Sequence, residues 1–95
     1  METLGADEIK ARLAVLSGWG VNEAGEISKT FAFSGFPQAL MYISAVGVLA
    51  EAAEHHPDIT IQWNKVTLAL TTHDAGGLSE KDFDLARQID RVPLL

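Results

Sequence analysis

The sequence predicts an α+β domain in two layers, a four-stranded antiparallel sheet with three helices on one face. Three observations point there. Apolar residues recur at helical spacing in three separate segments. Four short runs alternate apolar with polar residues. The runs come in pairs joined by short turns, so hairpins alternate with helices in the order α-β-β-α-β-β-α, and hairpin strands pair antiparallel.

The first helix is expected over Asp7 to Leu16, with Ile9, Leu13 and Leu16 on one face and Asp7 and Glu8 suiting its N-terminus. Ser17-Gly18 ends it. A first hairpin runs from Trp19 to Phe33 and turns at Asn22-Glu23-Ala24-Gly25. Its second strand puts Ile27, Phe31 and Phe33 on one face and Ser28, Thr30 and Ala32 on the other. Lys29 falls on the apolar face, which suggests that this face is open at one point or near an edge.

Ser34-Gly35-Phe36-Pro37 opens the long central helix, where proline in the first turn costs no hydrogen bond. Leu40, Ile43, Val46, Gly47 and Ala50 form one apolar stripe; Met41, Ala45, Val48 and Ala52 form a second. Either the helix lies deep in the core, or the second stripe meets another subunit. Pro57 stops the helix near His56. A second hairpin follows, with Ile59, Ile61 and Trp63 on one strand, Val66, Leu68 and Leu70 on the other, and a turn near Asn64-Lys65. Asp74-Ala75-Gly76-Gly77 is a loop. Ser79 caps a last helix carrying Phe83, Ala86 and Ile89, which Pro93 terminates.

Ninety-five residues make one domain, residues 1–95. At 47% hydrophobic and 21% charged residues the composition is globular, not disordered. The chain has no cysteine, which removes disulfides, thiolate metal sites and a cysteine nucleophile together. A net charge of −6 without a basic cluster argues against nucleic acid as a partner. The N-terminus lacks a signal-peptide pattern, and Gly35, Pro37 and Gly47 interrupt the longest uncharged stretch. A cytoplasmic protein with no membrane partner is expected. Four strands leave edges to cover, which together with the two-sided helix favours a homo-oligomer.

All three histidines, His55, His56 and His73, fall within nineteen positions, at the ends of the long helix and of a strand. Such ends can converge at one end of a two-layer domain. Glu51 lies one helical turn before His55, and Asp82 lies in the first turn of the last helix. Imidazole has an ordinary pKa of about 6.5, so it suits proton transfer at neutral pH. A neighbouring carboxylate can set its tautomer. Each residue also has a plain structural explanation: a histidine at a helix C-terminus and a carboxylate at an N-terminus are both favourable there. Three histidines with a carboxylate could instead hold zinc or a harder cation. Adjacent histidines usually diverge, however, and no His-x-His or His-x-x-x-His pair occurs.

The run Glu51-Ala52-Ala53-Glu54-His55-His56-Pro57, then Trp63, His73 and Asp82 at intervals of five, nine and eight intervening residues, resembles the signature of the pterin-4a-carbinolamine dehydratases. The segment HHPDITIQWNKVTLALTTHDAGGLSEKDFDLA is similar almost throughout. The resemblance is strong over residues 36–91; before that only element order and size match. It implies a lyase that eliminates water from 4a-hydroxytetrahydrobiopterin to give the quinonoid dihydropterin, within tetrahydrobiopterin recycling, with no metal and no cofactor. It implies His55 and His73 as the acid/base histidines and His56 as mainly placing the pterin. Glu51 would support His55, and Asp82 would support His73. Thr71, Thr72 and, more weakly, Glu54 would contact the ring, with Trp63 as an aromatic binding position. It further implies a homodimer or homotetramer. Some relatives act as dimerisation cofactors for a transcription factor, so a protein-binding module that retains the site is the alternative.

Overall fold

The computed structural model describes residues 2–93; Met1, Leu94 and Leu95 lie outside the described residues. The elements follow the expected order: α1 (Ala6–Leu13), β1 (Gly20–Val21), β2 (Ile27–Ala32), α2 (Phe36–Ala53), β3 (Asp58–Gln62), β4 (Lys65–Leu70), a single 3₁₀ turn (His73–Ala75) and α3 (Glu80–Asp90). The sheet order is β1-β2-β4-β3, with every neighbour antiparallel.

Alternation decides which face is buried. Ile27 stands opposite Leu70 and Phe31 opposite Val66, and on the other side of β4 Ile59 faces Leu68. This row turns towards the helices, and Ile27, Val66, Leu68 and Leu70 are fully buried there. Lys29 shares that face. It lies beyond the reach of β1, which pairs only with Ile27 and Ser28, so β2 is an edge from Lys29 onwards. Its ammonium donates to Asp90 Oδ1 at 3.0 Å and lies 4.8 Å from the centre of the Phe31 ring. Trp19 Nε1 donates to the same carboxylate at 3.0 Å. One aspartate at the end of α3 thus satisfies both polar groups at the open margin of the core.

α2 buries Ala39, Tyr42, Val46 and Ala50, with Ile43, Leu49 and Ala53 partly covered beside them. The expected stripe is shifted at its start: Leu40 is exposed, and Ala39 and Tyr42 take the core positions. Alanine at 39 and 50 lets the helix approach closely. Tyr42 packs its ring on Phe31 and Phe33, at centroid distances of 5.1 and 4.8 Å. Met41 and Val48 of the second stripe are exposed, so α2 is not a helix buried on all sides. Its eighteen residues would be long and apolar enough to cross a membrane, but here one face is core.

The Tyr42 hydroxyl is buried with no hydrogen-bond partner. Burial, and secondarily the charge of Asp90, push its pKa well above the ordinary tyrosine range. An unpaired buried hydroxyl opposes folding. Tyr42→Phe is therefore expected to leave stability unchanged or raise it by up to about 1 kcal/mol in urea unfolding; a clear loss would mean the hydroxyl has a partner.

α1 is shorter than expected and ends at Leu13. Leu16 still reaches the core from the following turn. Arg12 on α1 grips Glu80 on α3 with two bonds, Nε to Oε1 at 2.6 Å and Nη2 to Oε2 at 2.8 Å. The Arg12 hydrogen bond holds the Glu80 carboxyl below the usual carboxylate range. A lowered carboxyl pKa stabilises the fold above its unfolded value, and the contribution is lost as pH falls through the folded value. Arg12→Ala should thus lower the urea midpoint at pH 7, with the gap to the parent closing on acidification. The pair is at the surface, so the gap should be small and shrink in salt.

Candidate active site

The site forms where the C-terminus of α2, the end of β4 and the N-terminus of α3 meet. α2 stops at Ala53, short of His56, because Glu54 adopts a left-handed conformation with φ 52°. His55 N–H then donates to Ala50 O at 3.1 Å and Glu54 N–H to Glu51 O at 3.1 Å, the two bonds of a Schellman turn. The turn takes both histidines off the helix axis. Glycine usually holds this position, because a side chain there costs about 1–2 kcal/mol. Glu54 also lines the cavity described below. Glu54→Gly is expected to raise unfolding stability by up to about 1 kcal/mol while weakening ligand binding, which denaturation and titration on one variant would read together.

Beyond β4, Thr72 closes a tight loop by pairing with Gly77. This sets His73 in the 3₁₀ turn, exposed at the mouth of the site. The chain then enters α3 at Ser79. Asp82 lies in the first turn, fully buried. Its Oδ2 accepts from Thr72 Oγ1 at 2.8 Å and from the Ser79 backbone N–H at 2.9 Å. Since Thr72 gives its proton to Asp82, Ser79 Oγ donates to Thr72 across their 2.7 Å contact. Asp82 Oδ1 lies 2.5 Å from His55 Nε2. A carboxylate can only accept, so Nε2 carries the hydrogen and Nδ1 of His55 is the nitrogen left to take a proton. The imidazole is only 10% exposed and rigidly held.

This pairing corrects the expected one. Asp82 holds His55, not His73. Glu51 does not reach His55; its Oε1 lies 2.8 Å from Nε2 of His56, in the open. The reason is the left-handed Glu54: once the helix ends, one-turn spacing no longer places His55 over Glu51. The His73 imidazole has no hydrogen-bond partner among the described residues.

The cavity at this junction measures about 230 Å³ and is lined by Glu54, His55, His56, Thr71, Thr72 and His73, with Asp74 and Lys81. The three histidines therefore converge, as do Glu54, Thr71 and Thr72. Glu51 and Asp82 stand behind their histidines. Trp63 does not join them. It occupies the hairpin turn at the other end of β3, 72% exposed with φ 52°, a strand length of about 16 Å away. It is neither core nor pocket wall in this chain. Asp74 and Lys81 escaped the sequence reading because each looked like an ordinary loop or helix-start charge; only the packing of α3 brings Lys81 to the rim. Among the described residues no three His, Asp or Glu side chains are grouped so as to hold one metal ion.

A cavity of this size holds a small ring system rather than a drug-sized ligand, whose sites run to roughly 300–1,000 Å³. With one imidazole fixed by a buried carboxylate and two more at the rim, it defines a small-molecule pocket equipped for proton transfer on an α+β scaffold. The family model for pterin 4 alpha carbinolamine dehydratase matches residues 2–92. The chain belongs to that family, and the match extends through the N-terminal helix and hairpin, where the sequence alone shows only order and size.

A curated relative from Roseiflexus sp. (strain RS-1), provisionally named a pterin-4-alpha-carbinolamine dehydratase, is 59% identical over 85 residues, covering 90% of each chain. The crystal structure of a transcriptional coactivator/pterin dehydratase from Brucella melitensis superposes with a TM-score of 0.89 at 29% identity, covering 94% of this chain and 96% of that one. A pterin dehydratase-like protein, identified as a RuBisCO assembly factor in the alpha-carboxysome, shares the fold at a TM-score of 0.64 and 24% identity, covering 77% of this chain and 86% of that one.

Proposed function

We propose that this chain is a dehydratase that removes water from 4a-hydroxytetrahydrobiopterin and releases the quinonoid dihydropterin. The observation that carries the reading is the buried Asp82 carboxylate, which sets the tautomer of His55 at the wall of a ring-sized cavity. The reaction breaks the C4a–OH bond. The hydroxyl leaves as water after receiving a proton. Electrons come from the adjacent ring nitrogen, which loses its proton as a C=N bond forms. The balance is substrate to product plus water, with no electron transferred, so neither redox cofactor nor metal is required by the chemistry.

One group must give a proton and another must take one. His55 and His73 fill these roles. His55 Nδ1 is the base, because Asp82 already occupies its other nitrogen. His73, unpartnered and open to water, supplies the proton to the leaving oxygen and regains it from solvent. His56, steadied by Glu51, places the ring with Thr71 and Glu54. Thr72 is a positioning residue, since its hydroxyl is given to Asp82.

The test is stopped-flow decay of freshly generated 4a-hydroxytetrahydropterin with metal chelator throughout. Accelerated decay that survives chelation and falls in His73→Ala is the expected result. No acceleration by the parent would overturn the reading. The protein is expected in the cytoplasm as a homodimer or homotetramer.

A second reading is favoured by one observation. Phe36, Leu40, Met41 and Val48 leave α2 with an exposed apolar side. A protein partner on α2 would make the chain a binding module that retains the site.

A further inference from the structure

β3 is an edge of the sheet, and its free side is unguarded. Gln62 and Lys65 flank the two-residue turn Trp63-Asn64 and bond to each other, so alternation turns Thr60 and Asp58 towards β4 as well. The N–H and C=O groups of Ile59 and Ile61 therefore point away from the sheet. Edge strands are usually protected by lysine, proline or a bulge. β3 contains neither lysine nor proline, and its one charge is Asp58 at the first position. Ile59, on the face towards the helices, is 38% exposed. The other open edge, β2 beyond Ser28, carries Lys29.

The turn at the end of β3 is strained. Trp63 takes φ 52° at the first turn position, where glycine or asparagine is usual and a bulky side chain is an outlier. Such strain persists where surrounding structure and function require it. Yet the indole is 72% exposed, and no ring or cation pairs with it among the described residues.

A two-fold axis at Thr60 accounts for both features. It lays β3 of a second copy antiparallel to the first, with all five residues overlapped. Ile59 then exchanges backbone hydrogen bonds with Ile61 of the partner subunit, and the symmetry repeats the exchange. Asp58 falls opposite Gln62 of the partner subunit, so no like charges meet. Carried one residue further, the same register sets Pro57 opposite Trp63 of the partner subunit. Pro57 adjoins His56, which lines the cavity.

We infer that two copies of this chain pair along β3, antiparallel about a two-fold axis at Thr60, and that each copy thereby sets its Trp63 at the rim of the partner's cavity. The pairing does not depend on the dehydratase reading; the service of Trp63 to the site rests on it.

The chain has no cysteine, so an introduced thiol reports a single contact. Residues facing each other between bonded pairs stand about 4.5 Å apart at Cα, within disulfide reach. Thr60→Cys under mild oxidation should therefore give a covalent dimer on a non-reducing gel. Asp58→Cys and Gln62→Cys should cross-link when mixed, but neither should alone. Thr30→Cys, on the open edge of β2, should stay uncrosslinked. Dimer from Thr30→Cys in place of Thr60→Cys, or no cross-link at position 60, would overturn the inference. In Trp19→Phe, Trp63 is the one tryptophan left, and acrylamide should quench it several-fold less after cross-linking through Thr60→Cys than before. Unchanged quenching would overturn the placement of Trp63. Trp63→Ala should raise KM about fivefold with kcat kept. A mixed dimer of Trp63→Ala and His55→Ala chains, isolated with two tags, should return to the parent KM, because its one working cavity receives a tryptophan from the other chain. A KM that stays high there would overturn the exchange between copies. No turnover by the parent would overturn the dehydratase reading, while cross-linking and quenching, which need no substrate, still decide the pairing.

Discussion

His55→Ala is expected to lower kcat for pterin dehydration by about 10²–10⁴-fold, the usual value of a positioned acid or base. KM should change much less, because the imidazole acts on the transferring proton rather than on the ring as a whole. The alanine variant has a second effect. It leaves Asp82 Oδ1 buried without its partner, at a cost of about 1–3 kcal/mol. His55→Gln separates the two. A glutamine amide can still donate to Asp82 but cannot carry a proton through a cycle, so kcat should fall as far while urea stability recovers. Stopped-flow kinetics and denaturation on both variants would decide. Full activity in His55→Gln would remove His55 from the chemistry.

Asp82 gives the other large effect. In Asp82→Asn, the amide oxygen can still accept from Thr72 and Ser79, but the NH₂ turns towards His55. Nε2 must then accept, and the hydrogen moves to Nδ1, the nitrogen that has to be free. Activity should drop by about 10²–10⁴-fold with the fold intact. Asp82→Ala should instead lose at least about 2 kcal/mol, since the Ser79 N–H and the His55 Nε2–H both lose their acceptor, while the Thr72 hydroxyl keeps only Ser79. That is a large share of the roughly 5–15 kcal/mol that holds a domain of this size. Asn retaining activity would show that the tautomer of His55 is not set by this carboxylate.

Several features were legible because they depend on local chemistry. Alternation in Ile27–Phe33 and Val66–Leu70 marks strands, and Pro57 marks the end of a helix, whatever the rest of the chain does. The grouping of His55, His56 and His73 at element ends was enough to suggest that they could converge, and they line one cavity. The partners of those histidines were not legible. Sequence spacing puts Glu51 under His55, and it would be there had α2 continued through His55. The left-handed Glu54 diverts the chain, His56 takes Glu51, and His55 swings to Asp82. Nothing local requires that turn at a glutamate; the turn leaves Glu54 at the wall of the cavity. Trp63 shows the reverse error. Its place in the family motif suggests a pocket residue, yet it lies in the hairpin turn opposite the site.

The sequence by itself determined the element order, the buried faces of β2 and β4 and the grouping of the three histidines at element ends, because periodicity and side-chain chemistry are properties of short segments. Only the tertiary structure decided which carboxylate serves which histidine, and that Thr72 and Ser79 complete the support of Asp82. Those are contacts between the end of α2, the end of β4 and α3. Their geometry is set by how the helices pack on the sheet, and no spacing along the chain encodes it directly.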